Sequence, residues 1–228
     1  MAAESIPKAE EAVDRYRRLA ETDAATYLPD LANSLNNLAL DLDRVGSSEQ
    51  ALSCLEEAIG HYRRLAGTAA GTHLPGLATS LHNLACMRRD RGRHEQALAP
   101  AQEAVTIYRQ LAETDPDTHL YFLAGALNTL AIRFAESGRH EQALPPAREA
   151  VTIYRRLAKA DPDGHLPDLA GALSRLATCL ADTDRREQAL APAQEAVDHY
   201  RHLARAWPDR YDSDAEAAAA LLNGLAPS

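Results

Sequence analysis

Apolar residues recur at intervals of three and four along most of the chain. The first clear run lies between residues 29 and 45 and contains Leu31, Leu35, Leu38, Ala39 and Leu42. This spacing places apolar side chains on one side of an α-helix and polar ones on the other. It predicts a helix over Pro29–Val45, with Pro29 in the first turn, where its missing N–H costs nothing. Gly46 is expected to end the helix in the left-handed conformation.

A second, longer run predicts a helix over Ser48–Ala66, capped by Ser48 and with Glu49 in its first turn. Its apolar stripe consists of Ala51, Leu52, Leu55, Ala58, Ile59, Tyr62 and Leu65. Only a two-residue turn separates the helices, so they are predicted to be antiparallel neighbours. The Gly-, Pro-, Asp- and Thr-rich stretches that follow, such as GTAAGTHLP and KADPDGHLP, predict loops.

The whole pattern repeats every 46 residues. YLPDLA at residues 27–32 returns as HLPGLA, HLYFLA and HLPDLA, and the second-helix string containing EQAL returns three times. A fixed period of this size predicts stacked units that share one core. The fold class is therefore predicted to be all-α, a right-handed α-solenoid of antiparallel helix pairs. The predicted single domain, residues 1–228, divides into segments 1–26 (a lone second helix), 27–72, 73–118, 119–164, 165–210 and 211–228 (a terminal helix).

Small and aromatic residues keep this register. Alanine occupies the same first-helix position in all four repeats (Ala39, Ala85, Ala131 and Ala177) and the same second-helix position (Ala51, Ala97, Ala143 and Ala189). These residues predict close helix contacts. Five tyrosines, Tyr16, Tyr62, Tyr108, Tyr154 and Tyr200, also recur in register and are interpreted as packing between repeats.

Some positions depart from the pattern. Prolines near the second turn of the second helices (Pro100, Pro145, Pro146 and Pro192) predict a kink or a late helix start. Asp184 stands where the other copies have a turn glycine, and Met87 is expected to turn inward in place of Arg88. Tyr121 and Phe122 place two aromatic residues at a predicted loop–helix junction.

Composition narrows the function. The net charge is −9 and the pI is near 5.5, which argues against nucleic-acid binding. Cys54, Cys86 and Cys179 show no pairing pattern, which is typical of a reducing compartment. Neither a leader nor an apolar run of about 18 residues occurs, so the protein is expected to be cytoplasmic, with no membrane partner.

No motif for a phosphate loop, a metalloprotease or a serine hydrolase is present. The nine histidines mostly occupy register positions a whole repeat apart, too far to share one ion. His199 and His202 lie three apart but have no third ligand. We therefore predict no catalytic residue, no metal and no cofactor. An enzyme built around His82, Cys86 or Arg175 is the least favoured alternative.

Together these residues resemble the tetratricopeptide repeat. Its pattern of large, small and turn residues falls on Leu35, Leu38, Ala39, Leu42, Gly46, Ala51, Leu55 and Ala58. The 46-residue period, LNNLA at residues 35–39 and the DPD strings resemble the kinesin-light-chain type. Similar arrays are frequent in actinobacterial proteins, often joined to NTPase or signalling domains.

The resemblance implies that the first helices line a concave, peptide-binding groove. The polar side of these helices supplies the candidate binding residues: Asn33, Asn36, Asn37, Leu40, Arg44, His82, Asn83, Cys86, Arg89, Asn128, Ile132 and Arg175. Asparagine offers a donor and an acceptor and so can pair with any peptide backbone. Asn37 and Asn83 match the asparagine ladder of related arrays, which Thr129 and Arg175 interrupt. The alternative is that these residues simply solvate an exposed surface.

We predict a protein-interaction scaffold that binds an extended peptide or a partner helix in this groove. The alternatives are a regulatory module that senses a small molecule or signalling peptide, and the repeat segment of a larger signalling protein. Gly125, Ala135, Gly171 and Ala181 leave room for a bulky group in the second half. The terminal helices also allow homodimers to form end to end.

Overall fold

The computed structural model describes the backbone of residues 2–67 and 70–225. It describes the side chains of residues 5–67 and 71–225. Within them ten α-helices occur and no strand: α1 (Ala2–Thr22), α2 (Ala24–Arg44), α3 (Ser48–Ala66), α4 (Ala70–Asp90), α5 (His94–Thr114), α6 (Pro116–Glu136), α7 (His140–Ala160), α8 (Pro162–Ala181), α9 (Arg186–Ala206) and α10 (Pro208–Leu225). Residues 68–69 of the first predicted loop and 226–228 of the last predicted segment lie outside the described residues.

The chain forms two compact units, residues 1–115 and residues 116–228. In each unit every helix packs against the next one along the chain. The even-numbered helices are the predicted first helices of the repeats, and the odd-numbered ones are the second helices. First helices of neighbouring repeats also touch directly: α2 contacts α4 in the N-terminal unit, and α8 contacts both α6 and α10 in the C-terminal unit.

The predicted apolar stripes form the core. All five stripe residues of α2 and all seven of α3 are buried. The alanines in register, such as Ala39 and Ala51, have no exposed surface, which confirms that they allow close helix contacts. Tyr62, Tyr108 and Tyr154 are each 4% exposed, as packing between repeats requires. Met87 is buried, and the Arg88 guanidinium turns outward to the Glu56 carboxylate, 2.8 Å away.

The helices begin earlier than the sequence predicts. The first helices start at Ala24, Ala70, Pro116, Pro162 and Pro208, so most of each predicted loop is the first turn of the next helix. Asp161 shows the reason, because it ends α7 and also caps α8, where its carboxylate accepts a hydrogen bond from the Gly164 N–H. Pro162 then takes the first helical position, which a proline tolerates. One capping aspartate therefore replaces a longer loop.

Two further local predictions are wrong. Pro29 lies inside α2, because Asp23 caps the helix six residues earlier and accepts a hydrogen bond from the Thr26 N–H. Ser47, not Ser48, is the N-cap of α3, and no side-chain hydrogen bond supports it. A third prediction offered two outcomes for the prolines of the second helices. Helices α5, α7 and α9 begin several residues before these prolines, so the late start does not occur and the kink stays a prediction.

The turns between paired helices follow the prediction. Gly46, Gly92 and Gly138 have φ angles of 82°, 70° and 71°, in the left-handed region that favours glycine. Asp184 takes the same role with φ of 56°. A short polar side chain tolerates this conformation better than most residues, so the turn survives the substitution.

Candidate functional site

The polar side of the first helices, opposite the buried stripe, is called the groove face here. In the N-terminal unit it is formed by α2 and α4. On α2 the predicted residues Asn33, Asn37 and Arg44 are exposed, while Asn36 and Leu40 are half-buried. On α4 the predicted residues are all half-buried: His82, Asn83, Cys86 and Arg89.

Asn36 joins the two helices of this face. Its Oδ1 accepts hydrogen bonds from Asn83 Nδ2 at 3.2 Å and from Ser80 Oγ at 3.1 Å. Ser80 is fully buried. The sequence analysis missed Ser80, although serine stands there where the later copies have Ala126 and Ala172. Asn36 and Asn83 therefore have structural partners, and the bond fixes the orientation of the Asn83 amide.

The register tyrosines do more than pack. Tyr62 donates a hydrogen bond from its hydroxyl to Asn33 Oδ1 at 2.5 Å, and the Tyr108 and Thr79 hydroxyls lie 2.8 Å apart. Asn33 and Thr79 occupy the same position in successive first helices. Each tyrosine thus reaches from a second helix to the groove face and supports one polar residue there. Burial raises the pKa of Tyr62 to about 12.

Asn37 differs from these neighbours. It is exposed, and its side chain makes no hydrogen bond to any residue that the structure describes. Its amide is therefore open to a partner, as the predicted asparagine ladder requires. The predicted cations are engaged locally, because Arg44 pairs with Asp41 at 2.9 Å and Arg89 pairs with Asp90. The Cys86 sulfur lies 3.8 Å from His82 Nε2, one helical turn away.

In the C-terminal unit the groove face lies on α6, α8 and α10. The predicted residues Asn128, Ile132 and Arg175 are all half-buried there. By repeat register, Asn128 takes the position of Asn36 and Arg175 takes that of Asn83. Ala172 replaces Ser80 and brings no donor. Asn128 Oδ1 and Arg175 Nε are buried, and neither has a hydrogen-bond partner within the described part of the chain.

Two glycines extend this difference. Gly125 and Gly171 stand where the N-terminal unit has Asn33 and Thr79, and they offer no group to the tyrosines. A Cβ at Gly125 would lie 3.6 Å from the Tyr154 hydroxyl, and one at Gly171 would lie 3.4 Å from the Tyr200 hydroxyl. Burial raises the pKa of both phenols, that of Tyr200 to about 12.

An aromatic and acidic cluster lies at the N-terminal end of this face. Tyr121 and Phe122 are 41% and 46% exposed, and they lie in the second turn of α6, not at a loop–helix junction as predicted. The Tyr121 ring centroid is 5.4 Å from that of His165 and 6.3 Å from that of Tyr154. The Tyr121 hydroxyl also donates a hydrogen bond to Asp168. Burial nevertheless raises the pKa of the Asp168 carboxyl above its ordinary value.

Arginines on the second helices have a different role. Arg17 pairs with Glu57 at 3.0 Å, and Arg63 pairs with Glu103 at 2.7 Å. Arg155 forms a short ion pair with Glu195. Each pair links successive second helices within one unit. These exposed pairs contribute little stability individually.

Tandem antiparallel helix pairs with a polar first-helix face define an all-α repeat protein of the interaction-scaffold class. The sequence matches the tetratricopeptide repeat family over residues 31–70, 77–117 and 123–165, more than half of the chain, so the chain belongs to this family. Proteins of this family bind other proteins and are generally non-catalytic. A comparison with curated proteins gives no match.

Solved structures confirm the solenoid fold class. BtubC (BKLC) from P. vanneervenii is 20% identical, with a TM-score of 0.66 over 99% of this chain and 89% of its own. A putative kinesin light chain with nearly identical repeats, from Podosopora anserina, is also 20% identical, with a TM-score of 0.59 over 90% and 93%. These likenesses support the predicted kinesin-light-chain type of repeat.

The described residues also bear on two other kinds of site. No helix among them is long and apolar enough to cross a membrane. Their histidine, cysteine and acidic side chains form no group of three or more that could hold a metal ion.

Proposed function

We propose that this protein is an interaction scaffold whose N-terminal unit binds an extended peptide along the groove face of α2 and α4. The observation that carries the proposal is the pair of asparagines, Asn37 and Asn83. Asn37 has an open amide, and Asn83 is held in place by Asn36. An amide can accept from a peptide N–H and donate to a peptide C=O, whatever the peptide side chains are.

The bond between Asn36 and Asn83 supports this function physically. Ordering a flexible side chain on binding costs free energy, and a side chain already held in one orientation avoids much of that cost. Asn83 uses one Nδ2 hydrogen for Asn36, so its Oδ1 and its second hydrogen remain for a ligand. Each peptide bond to these amides is expected to contribute roughly 0.5–1.5 kcal/mol. Half-buried Leu40 and Cys86 add apolar surface beside them.

The test is a pull-down from a lysate of the source organism, read by mass spectrometry. Wild type is compared with an Asn37→Ala, Asn83→Ala double variant. The matched control is a Ser53→Ala, Gln102→Ala variant, which changes two exposed polar residues on the second helices α3 and α5. A partner captured by wild type and control but lost from the double variant supports the proposal. Equal capture by all three excludes these asparagines as the contact site.

Three sequence predictions stay predictions beside this proposal. They are the single-domain division, the cytoplasmic location and the end-to-end homodimer. The scaffold proposal needs none of them. Size-exclusion chromatography with light scattering is the measurement that tests the homodimer.

A further inference from the structure

The two units treat equivalent positions differently. In the N-terminal unit three polar residues of the groove face have partners: Asn33 pairs with Tyr62, Thr79 with Tyr108, and Asn36 with Ser80 and Asn83. In the C-terminal unit Asn128 Oδ1 and Arg175 Nε have no hydrogen-bond partner among the described residues. Ser174 Oγ, in the register of Asn36 and Asn128, is also buried without one. Buried polar groups are normally paired, so these three atoms on adjoining helices are open to hydrogen bonds with a ligand.

The face of α8 that bears these groups is polarised. Asp168, Gly171 and Arg175 are spaced three and four residues apart, so they share one side of the helix. With a rise of 1.5 Å per residue, Asp168 and Arg175 stand roughly 10 Å apart along the axis. Gly171 lies between them, next to the Tyr200 hydroxyl, and has no side chain to fill the space there.

Both charged groups, Asp168 and Arg175, affect the pKa of Tyr200. Desolvation is the main cause of its raised pKa, the carboxylates of Asp214 and Asp168 raise it further, and the Arg175 guanidinium lowers it. Acidic and basic groups therefore both act on this hydroxyl. Asp214, on α10, is the register equivalent of Asp168 and is one of these acidic groups.

Both charges are available to a ligand. Arg175 forms no ion pair or side-chain hydrogen bond within the described part of the chain. Asp168 accepts one hydrogen bond, from Tyr121. Burial raises the pKa of its carboxyl, and the neighbouring His165 and this bond both lower it against the effect of burial. A carboxylate has further lone pairs, so Asp168 can still accept bonds from a cation.

We propose that the α8 face of the C-terminal unit binds an extended peptide that carries a basic and an acidic group three residues apart, the acidic group at Arg175 and the basic group at Asp168. The proposal rests on the proposed function, in that both require a peptide as ligand, but it concerns a different unit and different residues. A backbone N–H of the same peptide would supply the donor that Asn128 Oδ1 lacks.

The charge separation selects this ligand class. In a single amino acid the backbone ammonium and carboxylate are attached to the same carbon, so the two charges cannot reach both ends of the face. A polyproline-type extended segment has three residues per turn and rises about 3.1 Å per residue, so residues i and i+3 lie on one side and about 9 Å apart. That spacing matches the distance between Asp168 and Arg175.

The probes are fluorescein-labelled, proline-rich peptides, and binding is followed by fluorescence anisotropy. One peptide has lysine three residues before glutamate, a second has the reverse order, and a third has glutamine at both positions. Wild type is expected to bind at least one charged order with a Kd below roughly 1 mM, and to bind the glutamine peptide more weakly. Equal binding of charged and glutamine peptides, or no saturation by either charged order, would overturn the proposal.

The chain itself supplies the best variants. Arg175→Asn installs the residue found at Asn83, which can donate to Asn128 as Asn83 does to Asn36 and so preserves the fold. Gly171→Thr installs the residue found at Thr79, which fills the space over Tyr200. Each change is expected to weaken binding of the charged peptide roughly tenfold or more. The melting temperature is expected to equal or exceed that of wild type. Arg156→Asn, at an exposed arginine of α7, is the matched control and should bind as wild type.

Unchanged binding in Arg175→Asn with an intact melting transition contradicts the inference directly. The two proposals can also fail separately. Capture of a partner that depends on Asn37 and Asn83, together with no charge-dependent probe binding, overturns this inference and leaves the scaffold proposal in place. The opposite result is probe binding that depends on Arg175, without loss of any captured partner in the Asn37→Ala, Asn83→Ala variant. It supports this inference and overturns the scaffold proposal.

Discussion

Asn83 donates a hydrogen bond from Nδ2 to Asn36 Oδ1 across 3.2 Å, and this bond ties the first helices of two successive repeats together. Ser80 donates to the same oxygen from a fully buried position. One asparagine side chain thus satisfies two donors. The neighbouring Asn37 faces solvent and takes no part in this arrangement. Adjacent, identical residues therefore have different roles.

This difference predicts that two alanine substitutions change stability by unequal amounts. Asn36→Ala is expected to lower the free energy of unfolding by roughly 1–2 kcal/mol, because the Ser80 hydroxyl and one Asn83 hydrogen lose their acceptor. Asn37→Ala should change it by less than about 0.5 kcal/mol, because an exposed residue without a partner is removed. Urea denaturation followed by circular dichroism measures both. A larger loss for Asn37→Ala would contradict the assignment.

The buried alanines in register predict that the stability of the fold is sensitive to side-chain size at these positions. Ala177 has no exposed surface, so Ala177→Leu must displace its neighbours and is expected to cost roughly 1–3 kcal/mol. Ala191 lies exposed on α9 and provides the control, since Ala191→Leu adds the same atoms without displacing any. Denaturation midpoints of the two variants should differ clearly. Equal midpoints would mean that the helices around Ala177 can move apart at little cost in stability.

The turns between helices predict a reciprocal pair of effects. Gly138→Ala forces a side chain into the left-handed region at φ of 71° and should cost roughly 1 kcal/mol. Asp184→Gly relieves the same conformation at φ of 56° and should leave stability unchanged or raise it by a few tenths of a kcal/mol, since the unfolded chain also gains freedom. Thermal melts of both variants test the pair. A marked loss of stability in Asp184→Gly would show that the aspartate side chain makes a stabilising contact.

The buried phenols predict loss of stability at alkaline pH. Burial raises the pKa of Tyr62 to about 12, whereas an unfolded tyrosine ionises near its ordinary value of about 10. Between these values the unfolded state binds fewer protons than the folded state, so stability falls as pH rises. Stability from this group is complete below about pH 10 and is lost as the pH rises toward 12.

The measurement is urea denaturation at several pH values between 9 and 11.5, with Tyr62→Phe as the comparison. Tyr62→Phe should be less stable near neutral pH by roughly 0.5–1.5 kcal/mol, because the hydrogen bond to Asn33 is gone. Its stability should then fall less steeply with pH than that of wild type. Parallel pH profiles for the two proteins would assign the alkaline loss to other groups.

The groove face shows how far sequence reasoning reached. The sequence placed Asn36, Asn37 and Asn83 on one side of the first helices, and the structure agrees. It could not separate Asn36 from Asn37, because their roles depend on what α4 presents opposite them. It predicted Arg175 both as a candidate binding residue and as an interruption of the ladder. The structure added that Asn128 Oδ1 and Arg175 Nε are buried without a hydrogen-bond partner among the described residues.

By itself, the sequence determined the helix pairs, the 46-residue register, the buried stripes and the left-handed turns. These depend on periodicity and local backbone preference, which act over a few residues and recur in each copy. Local capping decided where the helices begin, because Asp23 and Asp161 each accept a hydrogen bond from a backbone N–H three residues on and so start the helix before Pro29 and Pro167. Tertiary structure decided which polar side chains bind each other across helices. Such pairing depends on the distance between atoms far apart in the chain, and a repeating pattern carries no information on that distance.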